Sequence, residues 1–201
     1  MKILKKAFMA LAFLLMLVSC QEEMPTPDWN KKPVKEETGA VIEKLYPISM
    51  RREVPFPFSA YVMRMNNGKD LYMLRYRYNR DLRVGDYIRY QVFSFCPDEI
   101  AVLNGQDLGD GSDATRVAET ETRSLVASDP IEADVTDVFD MKIRYSVTFA
   151  PIDTWFIELS DGQLIYVKKS KCKLKLSQGD HIVYNTYTLS PNEVLAIKKL
   201  N

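Results

Sequence analysis

Apolar and polar residues alternate in short runs along most of the chain, and the same series of runs occurs twice. Residues 61–65 and 70–77 are rich in Tyr, Met and Leu and flank Asn67-Gly68, while residues 155–159 and 164–171 flank Asp161-Gly162. Such dipeptides are the strongest short hairpin signals, because both central positions of a type I′ turn need positive φ. A Gly-Asp pair then leads into a longer run, 87–95 or 181–189. Pro97-Asp98 or Pro191-Asn192 leads into a last one, 99–103 or 193–197. Residues 40–45 supply a first strand ahead of the first set. Ahead of the second set, Met141, Ile143, Tyr145, Val147 and Phe149 alternate with the period of a strand. Pro47, Pro55 and Pro57 interrupt the matching stretch of the first set and predict an irregular segment there. No run carries a convincing amphipathic helix.

The two sets align at one offset. Gly85-Asp86 meets Gly179-Asp180 at a spacing of 94 residues, and the same spacing brings together Gly68 and Gly162, Tyr72 and Tyr166, Pro97 and Pro191, and Glu99 and Glu193. Nine identities fall within the 44 positions 61–104. Upstream, Val41 meets Val135 and Tyr61 meets Trp155. Three turn signals held in register over this length mark an internal duplication. The expected organisation is an export signal at 1–20, a tether at 21–38, a first repeat at 39–104, an acidic linker at 105–132 and a second repeat at 133–201.

Five strands with a tight hairpin between the second and third suit a small, partly open barrel. The stretch LRVGDYIRYQVFSFCPDEIAVL resembles the end of an S1-type OB domain, where a Leu-x-x-Gly-Asp turn feeds the fourth strand. FIELSDGQLIYV with GDHIVYNTY is similar to the N-terminal OB domain of the NigD-like lipoproteins of Bacteroidota. The fold expected is all-β: two tandem five-stranded OB-like barrels related by duplication. SH3-like barrels or a small β-sandwich are the alternatives.

The N-terminus points to export. Lys2, Lys5 and Lys6 precede an unbroken apolar run at 7–18, too short to span a bilayer, which takes roughly 20 residues. The run ends in Leu17-Val18-Ser19-Cys20, a lipobox-like sequence, so Cys20 is the expected site of acylation and the membrane anchor. Gln21-Glu22-Glu23 resembles the signal that sends Bacteroidota-type lipoproteins to the outer face of the outer membrane. Pro25, Pro27 and Pro33 mark a flexible stalk beyond it. The expected location is therefore the cell envelope, on the outer membrane and exposed at the surface.

Charge narrows the partners. The 27 basic residues balance 27 acidic ones, but without the three signal lysines 24 basic residues face 27 acidic, a net charge of −3. That argues against nucleic acid as a partner. Between the repeats, residues 105–134 carry eight acidic residues against Arg116 and Arg123. Cys96 and Cys172 occupy non-matching positions of the two repeats, and buried free thiols are the simpler expectation for them.

A two-residue hairpin turn would set Met63 opposite Tyr72 and Ile157 opposite Tyr166. Tyr61, Met65, Trp155 and Leu159 would then join the core. The outward face would carry Val62, Arg64, Leu71, Met73, Arg75 and Arg77 in the first repeat. In the second it would carry Phe156, Glu158, Ile165, Val167, Lys169 and Lys171. Apolar triplets beside basic residues on strands two and three suit an anionic glycan, a lipid headgroup or an acidic protein segment. The competing reading packs the apolar triplets between the repeats and leaves the basic residues as edge protection.

Catalysis finds little support. His181 is the only histidine and matches Tyr87 of the first repeat. Metal-ligand spacing and a glycine-rich phosphate loop are both lacking, so no cofactor is expected. Asp86 with Asp180, and Glu99 with Glu193, recur beside turns, where they serve turn geometry. A non-catalytic binding or assembly module is the reading. A structural subunit of a larger envelope complex and a weak carboxylate hydrolase are the alternatives.

Overall fold

A computed structural model describes residues 36–51, 57–109, 127–145 and 150–200. The export signal with Cys20, nearly all of the tether, linker residues 110–126 and residues 146–149 of the period-two run lie outside the described residues.

The chain is all-β and forms two small OB-like barrels. In the first, β1 (Thr38–Arg51) pairs with β2 (Pro57–Met65), and β2 pairs with β3 (Asp70–Leu74). A short 3-10 turn, Arg75–Arg77, leaves β3. The chain then runs through β4 (Tyr87–Phe93) and β5 (Cys96–Leu103), with a two-residue β6 (Gln106–Asp107) beside β5. Strand β4 returns to β1, and a parallel bridge between Tyr72 and Glu99 joins β3 to β5 and completes the ring. The second barrel repeats this order with β7 (Ile131–Ile143), β8 (Ile152–Leu159), β9 (Leu164–Lys168), β10 (His181–Tyr187) and β11 (Ser190–Lys199). Its closing bridge, Tyr166 with Glu193, is the first bridge moved on by 94 residues.

The Gly-Asp turns explain how each first strand is held. Asp86 Oδ2 accepts the Arg83 amide at 2.8 Å, and Asp180 Oδ2 accepts the Ser177 amide at 2.9 Å. The turns then clip onto β1 and β7: Gly85 N donates to Ile42 O, and Gly179 N to Val135 O, both at 2.8 Å. Ile42, rather than Val41, therefore corresponds to Val135. The offset is 93 along the first strands and becomes 94 before the second.

Each first strand also carries a bulge, between Ile42 and Lys44 in β1 and between Val135 and Asp137 in β7. A bulge inserts one residue and so switches which parity faces inward. Ala40 and Ile42 pack inside the first barrel, whereas Tyr46, Ile48 and Met50 beyond the bulge point outward. In β7, Val135 lies inside while Phe139, Met141 and Ile143 point outward. Pro47 does not break this pattern: it pairs with Tyr61 in a continuous 14-residue strand, and Pro57 opens β2.

The hairpins differ from a type I′ turn. Met65 N donates to Lys69 O and Gly68 N to Met65 O, so the loop has three residues and only Gly68, at φ 76°, is left-handed. Leu159, Gln163 and Gly162, at φ 81°, repeat it. This is a turn closed by a glycine bulge. The register moves by one: Val62 faces Tyr72 and Met63 faces Leu71, while Phe156 faces Tyr166 and Ile157 faces Ile165. A one-residue shift exchanges the two faces of a strand. The interior of the first barrel is thus Tyr61, Met63, Met65, Leu71 and Met73, packed with Ile88, Tyr90 and Leu103.

The linker is shorter than 105–132. Leu108 is buried in the first barrel, Ile131 already belongs to β7, and Ser128 N donates to Thr186 O of the second barrel at 2.8 Å. Cys96 and Cys172 are both buried free thiols.

Candidate functional site

The outward faces of β1–β3 and β7–β9 are packed against each other. Tyr46, Ile48, Met50, Val62 and Tyr72 of one barrel form a single cluster with Phe139, Met141, Ile143, Phe156 and Tyr166 of the other. These are the same positions in the two repeats. Burying each large side chain contributes about 1.5–3 kcal/mol relative to exposure, so this seam binds the barrels into one body.

The polar contacts at the seam are reciprocal. Cys96 Sγ donates to Lys142 O at 3.2 Å, and Ser190 Oγ donates to Ser49 O at 3.2 Å. Asp98 accepts the Lys142 amide at 2.6 Å, and Asn192 accepts the Ser49 amide at 2.8 Å. At the rim, Lys44 Nζ lies 2.8 Å from Glu158, and Arg64 pairs with Asp137 as well as with Asp70 at 2.9 Å. Arg64 corresponds to Glu158 and Lys44 to Asp137, so the two rim pairs are counterparts with the charges exchanged. Burial works against the Asp137 carboxylate, but the Arg64 hydrogen bond, the Val138 amide and the Arg64 and Lys44 charges together outweigh it and hold Asp137 below the usual carboxylate range.

Deepest in the seam is Arg144, fully buried. Its Nε and Nη2 donate to Glu99 Oε2 and Oε1 at 2.8 and 2.6 Å, and Phe93 and Phe95 lie 4.9 and 5.2 Å from the guanidinium. Tyr72 OH donates to Glu99 at 2.6 Å and accepts the Arg144 amide at 2.9 Å. Burial, helped by the Glu99 charge, pushes the neighbouring Cys96 thiol up to about 12, so it is a thiol and not a nucleophile at neutral pH. Glu99 is therefore a buried ion-pair partner rather than a solvated turn residue. Glu193 is also buried, at the matching bridge.

This arrangement divides the residues expected to share one outward face. Val62 and Phe156 lie in the seam, Leu71 and Met73 inside the first barrel, and Ile165 and Val167 inside the second. Arg64 sits at the seam rim over the Phe139 ring, 4.6 Å from its centre. Arg77 is almost covered and donates to Gly109 O at 2.9 Å. Lys169 lies 4.0 Å over Trp155 and bonds Asp140 at 2.8 Å, while Lys171 is exposed. Only Arg75 and Lys171 of the basic set are largely open to solvent. The physical reason is the register shift together with the seam, which consumes the strand-two and strand-three faces.

What stays open is the connection that follows the third strand of each barrel. Residues 75–83 carry Arg75, Arg77, Arg80 and Arg83 against Asp81, and residues 168–175 carry five lysines and no acid. Arg80, Arg83, Lys171, Lys173 and Lys175 are exposed and enter no ion pair among the described residues. In the first barrel the connection borders a cleft of about 360 Å³, lined by Ser59, Arg75, Tyr76, Asn79, Arg80 and Asp81. A second cleft of about 380 Å³ lies beside Lys44, Arg64 and Asp70, whose charges are already paired with one another or across the seam.

His181 stands at the end of β10, with Nδ1 2.8 Å from Asp134 and Nε2 3.6 Å from Glu132. The Asp134 hydrogen bond raises its pKa. Asp180, hydrogen-bonded by Lys199 at 2.6 Å and by the Ser177 amide, is held below the usual range. Both serve the ends of strands. Among the described residues no cluster of His, Cys, Asp and Glu could hold a metal ion, and no helix is long and apolar enough to cross a membrane. Fold and site define a tandem OB-like double barrel. No protein-family model matches the chain, and no curated protein matches it.

Proposed function

We propose that this chain is a lipid-anchored, non-catalytic protein of the cell envelope whose fused barrels form a binding module for anionic glycans or lipid headgroups. The observation that carries the reading is the cationic connection after the third strand, present in both barrels of a chain whose formal net charge as a whole is zero. The strand faces that small barrels commonly use for ligands are spent on the seam, which leaves these connections as the open basic surface. Phosphates, sulfates and carboxylates on a polymer or a lipid layer offer repeated anions to such groups. The basic start, the short apolar run and Cys20 support an acyl anchor that would hold the module at a membrane.

Two measurements test it. Acyl labelling of the full chain in cells is expected to be lost in Cys20→Ala, with the protein released from the membrane fraction. Soluble mature protein is expected to bind dextran sulfate with an affinity that falls steeply with added salt. Combined Arg80→Ala, Arg83→Ala, Lys173→Ala and Lys175→Ala substitutions should abolish that binding while the melting temperature is retained. Absence of binding in the unaltered protein at low salt would refute the module.

A further inference from the structure

The two cationic connections are not chemically alike. In the second barrel the residues at the positions of Arg75, Tyr76, Arg80 and Asp81 are Lys169, Ser170, Leu174 and Lys175, so the connection itself carries neither a ring nor a carboxylate, and Lys169 meets Asp140 and Trp155 from neighbouring strands. The first barrel keeps a cleft with a mixed lining.

That lining is held in place by its neighbours. Arg75 lies 5.4 Å from the centre of the Tyr61 ring and bonds Asp81 at 3.3 Å. Tyr76 is about half exposed, at 53%, yet its ring is steadied by Phe58 at 5.8 Å and by the Arg77 guanidinium at 5.6 Å. Arg77 Nε also donates to the Tyr76 hydroxyl at 3.3 Å. Fixing groups before a ligand arrives removes part of the ordering cost of binding.

Resting on the binding-module reading, we propose that the cleft at residues 75–81 is the specific subsite of the module and takes a carboxylate-bearing sugar residue of an acidic glycan. Arg80 and Arg75 supply planar donors that match a carboxylate. Asp81 and the Asn79 amide accept from sugar hydroxyls. The Tyr76 ring offers an apolar face to the C–H side of a pyranose while its polar tip stays wet. A bare phosphate or a phospholipid headgroup fits less well, because neither offers a pyranose face to the Tyr76 ring. The volume is in the range of small-ligand sites, roughly 300–1,000 Å³. The second barrel's lysines then add attraction to the polymer without reading the sugar.

The test titrates the mature double barrel with oligogalacturonate, with a neutral galactan oligosaccharide of equal length, with inorganic phosphate and with phosphatidylglycerol vesicles. Oligogalacturonate should bind at least about tenfold more tightly than the other three, a difference of about 1.4 kcal/mol. Arg80→Ala and Tyr76→Ala should each weaken it about tenfold with the melting temperature unchanged. Lys173→Ala with Lys175→Ala should weaken it no more than about threefold and mainly flatten the salt dependence. Equal binding of the vesicles or phosphate, indifference to both Arg80→Ala and Tyr76→Ala, or an equal loss in the lysine pair overturns the subsite and leaves the general polyanion module standing. No binding to dextran sulfate or to any of the four probes overturns both.

Discussion

Glu99 of the first barrel holds Arg144 of the second through two parallel hydrogen bonds of 2.6 and 2.8 Å, with both side chains shut off from water. The pair joins elements 45 residues apart and sits where Tyr72 reaches both partners. Burying two charges costs several kcal/mol, which good geometry and supporting hydrogen bonds offset. Removing one partner is therefore more harmful than removing both. Arg144→Met should lower unfolding stability by about 3–5 kcal/mol, whereas Arg144→Met with Glu99→Gln should cost less than the two single changes added. Urea unfolding of the four proteins in the cycle measures this, and strict additivity would count against the coupling.

The seam predicts which parity of β8 matters. Phe156 faces the other barrel and Ile157 faces its own core, and both are fully buried. Phe156→Ala should cost about 3–5 kcal/mol and Ile157→Ala about 2–5 kcal/mol. A nearly neutral Phe156→Ala in thermal melts would mean that this face is open to solvent.

The hairpin geometry is tested at its glycines. Gly68 and Gly162 occupy positive φ with open space around them, so the obstacle to a side chain there is backbone strain. Gly162→Ala should destabilise by about 1–2 kcal/mol. Asp161→Ala leaves the left-handed position untouched but removes the acceptor for the Gln163 amide at 2.9 Å, and is expected to cost less. Denaturant midpoints of the two variants give the comparison.

The His181 side chain gives a pH signature. Its raised pKa comes first from the Asp134 hydrogen bond, so the charged ring is the favoured form in the folded chain. This contribution is fully present below the unfolded value of about 6.5. It fades as pH rises through the higher folded value. His181→Gln should therefore narrow the gap between the melting temperatures at about pH 6 and pH 8. An unaltered gap would show that the ring takes no part. The effect should shrink in added salt, since the group is solvent-exposed.

The strand order was legible from the chain because its turn residues are chemically specific. Gly85-Asp86 and Gly179-Asp180 can be read as turns, and each clips a first strand as the repeat implies. The inner faces of β2 and β8 were legible, since Tyr61, Met63, Met65, Ile157 and Leu159 do line the interiors, but those of β3 and β9 were not. Asn67-Gly68 suits both a two-residue and a three-residue loop, and the difference of one residue exchanges inside for outside. The bulges before Lys44 and Asp137 change parity within a strand, so Tyr46, Ile48 and Met50 gave a pattern without a destination. Apolar residues at both parities of β2 and β8, such as Val62 beside Met63 and Phe156 beside Ile157, were the available signal that both faces are covered. Arg144 carried no local cue at all, because its partner lies in the other repeat.

The rim of the seam bears on how duplicated halves choose company. Before they diverged, two copies of one barrel would have presented identical faces, and any barrel could have docked on any other. Now Lys44 and Arg64 make one face positive at positions where Asp137 and Glu158 make the other negative. Like halves repel and unlike halves attract. Where copies of the chain meet, that complementarity favours each chain folding onto itself over linking with its neighbours into chains.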